Sequence, residues 1–195
     1  MIMFQVDGCL YGELRALLFA VACERPLLGY VQGMSHLGAL LLLYMSPLQA
    51  YRSLVGLLDG APHLEPFFLV DMPAISRYGD AFDSYLACHR PKVATRLRQM
   101  GVDSRIFILK WWITCFTAVL SPLDASRLWD KFVVGGISCL LTFSMALLEH
   151  LFKAHPVSLL FVFGGGNACL LIFSMALLEQ VWCRAPDWEG FGFRV

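Results

Sequence analysis

Charge is what this sequence has least of. Asp, Glu, Lys and Arg make up 15% of its 195 residues, while hydrophobic residues make up 58%. About a quarter charged is usual for a soluble domain, so either much of the surface is meant to be covered or part of the chain meets lipid. The 15 acidic and 15 basic residues cancel. No basic excess points to nucleic acid, and no acidic tail points to a solvated disordered segment. The seven cysteines form no Cys-x-x-Cys pair. Most sit in apolar runs, where a free thiol acts as a small hydrophobe, so a reducing compartment without a disulfide framework is expected. The five histidines show no metal-ligand spacing, and the reading is that no metal is bound. Met1-Ile2-Met3-Phe4-Gln5-Val6-Asp7 lacks the basic start and long apolar core of a signal peptide. There is no Gly-x-x-x-x-Gly-Lys-Ser/Thr loop and no Gly-x-Ser-x-Gly elbow. Gly164-Gly165-Gly166 follows no strand and precedes no lysine, so it reads as a break between apolar helices. Alternating strand patterns are missing as well.

What is present is helical spacing. Leu10, Leu14, Leu17, Leu18 and Val21 make a stripe at steps of three and four, closed by Pro26 and Gly29. A second apolar helix is expected over 34–44, and Pro47 opens a third that Gly60-Ala61-Pro62 breaks. Positions 72–88 carry Ile75, Tyr78, Phe82 and Leu86 on one side. Pro91 opens a short basic helix that Gly101 ends. The run 105–120 is strongly apolar and holds Trp111, Trp112 and Phe116. Pro122 starts a helix through Leu128, Trp129 and Phe132 that Gly135-Gly136 stops. The class expected is all-α, many short helices joined by Pro/Gly turns, with Trp111, Phe116, Trp129 and Phe132 in the core.

The end of the chain repeats itself. Cys139-Leu140-Leu141-Thr142-Phe143-Ser144-Met145-Ala146-Leu147-Leu148-Glu149 returns as Cys169-Leu170-Leu171-Ile172-Phe173-Ser174-Met175-Ala176-Leu177-Leu178-Glu179. Two copies are fewer than the roughly three that a solenoid needs, so the duplication reads as a recent copy of a coding segment or an artefact of how the gene was assembled. The division expected is a domain over 1–153 and a tail over 154–195 holding the second copy.

The informative segment is 25–35. Glycines on either side of an aromatic-x-Gln triplet give a sharply turned backbone with one exposed amide at a helix start. Tyr30-Val31-Gln32-Gly33-Met34 resembles the Tyr-x-Gln-Gly-Met motif of the TBC domain, the family of GTPase-activating proteins for Rab GTPases. Upstream, Phe4-Gln5, Gly8, Leu14, Cys23 and Arg25-Pro26 resemble the stretch leading into that motif. Downstream, Lys110-Trp111-Trp112 through Phe116, then Leu123-Asp124 and Arg127-Leu128-Trp129-Asp130-Lys131-Phe132, resemble the family's Pro-Leu-Asp…Arg-x-Trp-Asp-x-Phe signature. The resemblance covers about residues 4–150.

That resemblance implies a domain that grips a Rab protein and supplies two side chains to the Rab active site. An arginine neutralises charge developing on the phosphates, and a glutamine orients the attacking water. Gln32 matches the glutamine, with Tyr30, Gly33 and Met34 as motif support. Arg127, Trp129 and Asp130 are a structural signature. GTP and magnesium would be bound by the partner, so the chain is expected to carry no cofactor of its own. The family's arginine stands in an Ile-x-x-Asp-x-x-Arg motif upstream of the segment matched by Phe4, and this sequence starts after it. Arg15 and Arg25 lack that context, so neither takes the role and impaired activity is expected. The location implied is cytoplasmic, on endomembranes. Two alternatives stand beside it. One is a Rab-binding module without activity. The other is a membrane protein, because 157–178 holds no charged residue and is about long enough to span a bilayer.

Overall fold

The structure is a computed structural model that describes residues 2–60 and 65–154. A single helical turn, Ile2–Phe4, precedes nine helices among the described residues. These are α1 (Tyr11–Glu24), α2 (Met34–Tyr44), α3 (Pro47–Gly60), α4 (Glu65–Phe68) and α5 (Met72–His89). They are followed by α6 (Pro91–Gln99), α7 (Ser104–Ile113), α8 (Pro122–Gly135) and α9 (Ile137–Ala154). No strand occurs among the described residues, so the all-α expectation holds. The second copy of the repeat and the apolar stretch 157–178 lie outside the described residues. Among the described residues no helix is long and apolar enough to cross a membrane.

Local chemistry sets the boundaries. Pro47, Pro73, Pro91 and Pro122 sit in the first turn of their helices, where the missing N–H costs nothing. The Asp71 carboxylate caps α5 by accepting from the Ala74 N–H at 3.2 Å. At α7, Asp103 accepts from the Arg105 N–H at 2.9 Å. At α8, the Ser121 hydroxyl accepts from the Asp124 N–H at 3.2 Å and donates to the buried Asp124 carboxylate. Such a cap is worth about 1 kcal/mol.

Three helices form one end of the domain. α1 packs on α2 and α3, and α2 packs on α3. Gly38 lets α1 and α2 approach closely, since a Cβ there would stand 3.1 Å from both Leu14 Cδ1 and Leu17 Cδ2. The end of α1 is tied to α3 by the Arg25–Asp59 ion pair and by the Tyr51 hydroxyl donating to Glu24. At the other end α5 packs on α6 and α7, and α9 packs on α8 and touches α6. Arg90 and Glu149 meet at 2.6 Å across that contact. The Tyr44 hydroxyl, 3.2 Å from Ser126 Oγ, links the end of α2 to the start of α8.

Trp112, fully enclosed, is the hub. Its ring centroid lies 5.7 Å from Phe67, 6.2 Å from Tyr78 and 6.3 Å from Phe82. Its indole N–H donates to Ser144 Oγ at 2.9 Å, so α7 and α9 are joined by a buried polar contact as well as by area. Phe67 and Phe68 bring α4 into this cluster, although the sequence pattern assigned that turn no role. Trp111, Phe116, Trp129 and Phe132 are buried, as the apolar periods indicated.

The apolar run 105–120 holds a helix and a turn: α7 stops at Ile113 and the chain turns sharply through 114–119. The described cysteines divide differently from the expectation that most act as small hydrophobes. Cys9, Cys23 and Cys88 are exposed free thiols, and of the described cysteines only Cys115 and Cys139 are buried. Helical phase decides this: an apolar neighbourhood in sequence still has an outer face. Burial pushes the Cys115 thiol far up and the Cys139 thiol up to about 11, so neither is a reactive thiolate.

Candidate functional site

The segment singled out by sequence is an exposed turn between α1 and α2. The Arg25 N–H closes α1 on the Val21 carbonyl at 3.0 Å. The Arg25 carbonyl then accepts from Leu28 and Gly29 at 3.0 and 2.8 Å. Gly29, at φ +60°, reverses the chain into Tyr30-Val31-Gln32. Gly33, at φ +119°, turns it again into the first residue of α2. That φ lies outside every region open to a residue with a Cβ.

Space makes the same demand on Gly33. A Cβ would stand 3.3 Å from Ile113 Cγ2 and 3.4 Å from Thr114 Cγ2. The turn therefore rests on the C-terminal end of α7, a stretch some eighty positions away in sequence. Met34, 1% exposed, anchors the other side in the core. Its N–H donates to the Val31 carbonyl at 3.1 Å, and its sulfur accepts from the Val31 N–H at 3.5 Å. The Tyr30 hydroxyl sits 3.3 Å from Ser35 Oγ.

Gln32 stands at the crest of this turn, exposed. Among the described residues its side-chain amide has no hydrogen-bond partner. Leu27, 99% exposed, and Tyr30, 55% exposed, precede it on the same connection between α1 and α2. The turn thus presents an amide carrying both donors and an acceptor on a backbone fixed at both ends. Such an amide can orient a water molecule or a polar group on a partner's surface. His36, in the first turn of α2, is held below its usual pKa because desolvation and the charge of Lys110 both oppose its protonation.

The second motif divides between inside and outside. Trp129 is buried, and its indole N–H donates to the Cys115 carbonyl at 3.1 Å. Arg127 and Asp130 lie on the exposed side of α8. Tyr30, Gln32, Gly33 and Met34 come together in one turn, while Arg127 and Asp130 stand apart on another helix. Sequence reasoning missed Ile113 and Thr114, the floor under Gly33. An apolar residue and a threonine near a helix end carry no local signal of that role.

The arginines are placed as well. Arg25 makes a paired contact with the Asp59 carboxylate at 2.5 Å and is committed to joining α1 and α3. Arg15 is exposed in mid-α1. No group of His, Cys, Asp and Glu that could hold a metal occurs among the described residues.

Comparison with known proteins agrees with an all-helical domain. Residues 3–155 match the sequence model of the Rab-GTPase-TBC domain. Drainin of Dictyostelium discoideum is 34% identical over 137 residues, covering 70% of this chain and 31% of that protein. TBC1 domain family member 14 of Homo sapiens is 32% identical over 147 residues, covering 75% of this chain and 21% of that protein. TBC1 domain family member 12 of Xenopus tropicalis is 31% identical over 147 residues, with the same coverages of 75% and 21%. The chain therefore spans between a fifth and a third of the length of these relatives.

Proposed function

The chain belongs to the Rab-GTPase-TBC domain family, and from that membership we propose that it is a GTPase-activating module for a Rab-family small GTPase, with Gln32 orienting the attacking water. The observation that carries this reading is the Gln32 turn. A free amide is held out on a backbone pinned by Gly33, Met34 and the end of α7. Leu27 and Tyr30 offer exposed apolar area on the same loop. GTP and magnesium are the partner's; this chain contributes side chains to a site completed by the partner. Its place of action is the cytoplasmic face of endomembranes.

Electrostatics limits what these residues do alone. Phosphoryl transfer is catalysed mainly by positioning and charge stabilisation, and an arginine supplied in trans is worth about 10³–10⁵ in rate. Within these 195 residues no arginine stands in an Ile-x-x-Asp-x-x-Arg context, and Arg25 is held by Asp59. On this reading Gln32 supplies the water-orienting amide, and no arginine among these residues stands in the motif that supplies the neutralising charge. The test is single-turnover GTP hydrolysis by a panel of Rab proteins with and without the chain. Weak stimulation that Gln32→Ala abolishes is the expected result. Stimulation insensitive to that substitution removes Gln32 from the mechanism. Stimulation at the full trans-arginine level shows that Arg15 or Arg25 reaches the phosphates. The Arg25–Asp59 pair also favours a second reading, Rab binding without acceleration. That reading is met if the chain binds GTP-loaded Rab and leaves its hydrolysis rate unchanged.

A further inference from the structure

The turn that ends α7 has the hydrogen bonds of a Schellman motif. The Cys115 N–H donates to the Trp112 carbonyl at 3.0 Å, and the Phe116 N–H donates to the Trp111 carbonyl at 2.7 Å. Glycine is usual at the left-handed position of such a motif. Here Cys115 occupies it at φ +43°, and Phe116 follows at φ +65°. Two consecutive side-chain-bearing residues in this region are unfavourable and persist only where their surroundings over-determine them.

The surroundings that hold them are visible. Phe116 is fully enclosed, 5.4 Å from the Trp111 ring and 4.8 Å edge-on to Phe143. The Thr114 hydroxyl donates to the Lys110 carbonyl at 2.9 Å, and the Thr117 hydroxyl donates to the Thr114 carbonyl at 2.5 Å. From α8 the Trp129 indole N–H donates to the Cys115 carbonyl. In the chain direction, the two residues before Cys115 are Ile113 and Thr114, the floor against which Gly33 lies. One continuous line of contacts thus runs from Trp129 through Cys115 and Thr114 to Gly33 and so to Gln32.

We propose that Trp129, with Ile113 and Thr114, is a positioning residue for the Gln32 turn: its indole N–H locks the left-handed end of α7 in the one shape on which Gly33 seats. Strain in a buried turn then serves a surface side chain. A relaxed α7 end would move the two methyl groups under Gly33, and Gln32 would lose its fixed direction. The consequence for GTP hydrolysis rests on the reading of Gln32 given above; the mechanical coupling does not.

The test follows amide hydrogen exchange and side-chain amide resonances in the full ¹⁵N-labelled chain. The reporters are the Met34 and His36 N–H groups, which donate to Val31 and Gly33 inside the turn, and the Gln32 side-chain amide. Trp129→Phe keeps the ring and removes the donor. Exchange at Met34 and His36 is expected to rise about fivefold, the size set by one lost hydrogen bond, and the Gln32 side-chain resonance to shift. Thr114→Ser removes the methyl under Gly33 while keeping the hydroxyl, and it should move the same reporters even if Trp129→Phe fails to fold. Leu97→Ala, in the buried face of α6, is the control for general destabilisation and should leave the Gln32 resonance where it was. A Gln32 turn that answers to Leu97→Ala as much as to Trp129→Phe and Thr114→Ser, or to none of them, overturns the proposal. Failure of the Gln32 reading shows separately, as stimulated hydrolysis that Gln32→Ala leaves unchanged.

Discussion

Replacing Gly33 by alanine tests whether the glutamine turn is fixed by its backbone and its floor. Two penalties act together. At φ +119° an alanine lies beyond even the left-handed helical region, and strain of this kind costs about 1–3 kcal/mol. The new Cβ also meets Ile113 Cγ2 at 3.3 Å and Thr114 Cγ2 at 3.4 Å. Those are methyl groups in a buried wall, and shifting them adds a few tenths of a kcal/mol to about 1 kcal/mol. Gly29 supplies the internal comparison. It sits at φ +60° with nothing within 4 Å of a Cβ, so Gly29→Ala meets only the ordinary left-handed cost of about 1–2 kcal/mol. Both variants should stay folded, since a domain of this size has roughly 5–15 kcal/mol in reserve. Urea denaturation should rank them, with Gly33→Ala less stable than Gly29→Ala by about 1 kcal/mol or more and with equal denaturant slopes. Equal losses in the two variants, or a neutral Gly33→Ala, would show that the turn relaxes freely and that neither φ nor the α7 contact fixes Gln32.

Two further outcomes follow from the same contacts. The Glu149 carboxyl is half-buried; burial alone would raise its pKa, but Lys153 and Arg90 together bring it below the usual 4.5. The ion pairs therefore stabilise the fold above the unfolded-state value of about 4.5, and that contribution is lost as pH falls through the lower folded-state value. Glu149→Gln should remove less than about 1 kcal/mol at neutral pH and flatten the acid limb of the stability profile; an unchanged acid limb refutes the pairing. Deleting residues 157–195 should leave the thermal midpoint within a few degrees, because Trp112 meets Phe67, Tyr78, Phe82 and Ser144, all of which the shortened chain keeps. Cooperative melting of the shortened chain would show instead that the second copy of the repeat is part of the core.

Where the helices begin was legible because the causes are local. Pro47, Pro91 and Pro122 start helices since their own rings fix φ, and Gly101 and Gly136 end them since they alone accept left-handed φ without cost. Which face turns inward followed from steps of three and four, so Leu14, Leu17 and Val21 could be read as core before any coordinate. The exposed glutamine was legible for a similar reason, because two glycines and a triplet are neighbours in the chain. The α7 turn was not legible. Cys115 and Phe116 are poor residues for left-handed backbone, and they adopt it only because Trp129, Phe143 and Trp111 surround them.

The same division runs through the site. By itself the sequence determined an all-α chain, its helix starts, and a turn that displays Gln32. Only the tertiary structure decided that Arg25 is spent on Asp59, that three apolar-context cysteines face outward, and that Ile113 and Thr114 form the floor of the turn. The physical reason is range. Propensity, capping and helical phase act among residues a few positions apart, so each leaves a mark in the local string. A methyl group beneath Gly33 or a carboxylate opposite Arg25 arrives from a distant segment, and nothing in either neighbourhood records the meeting until the chain has closed around Trp112.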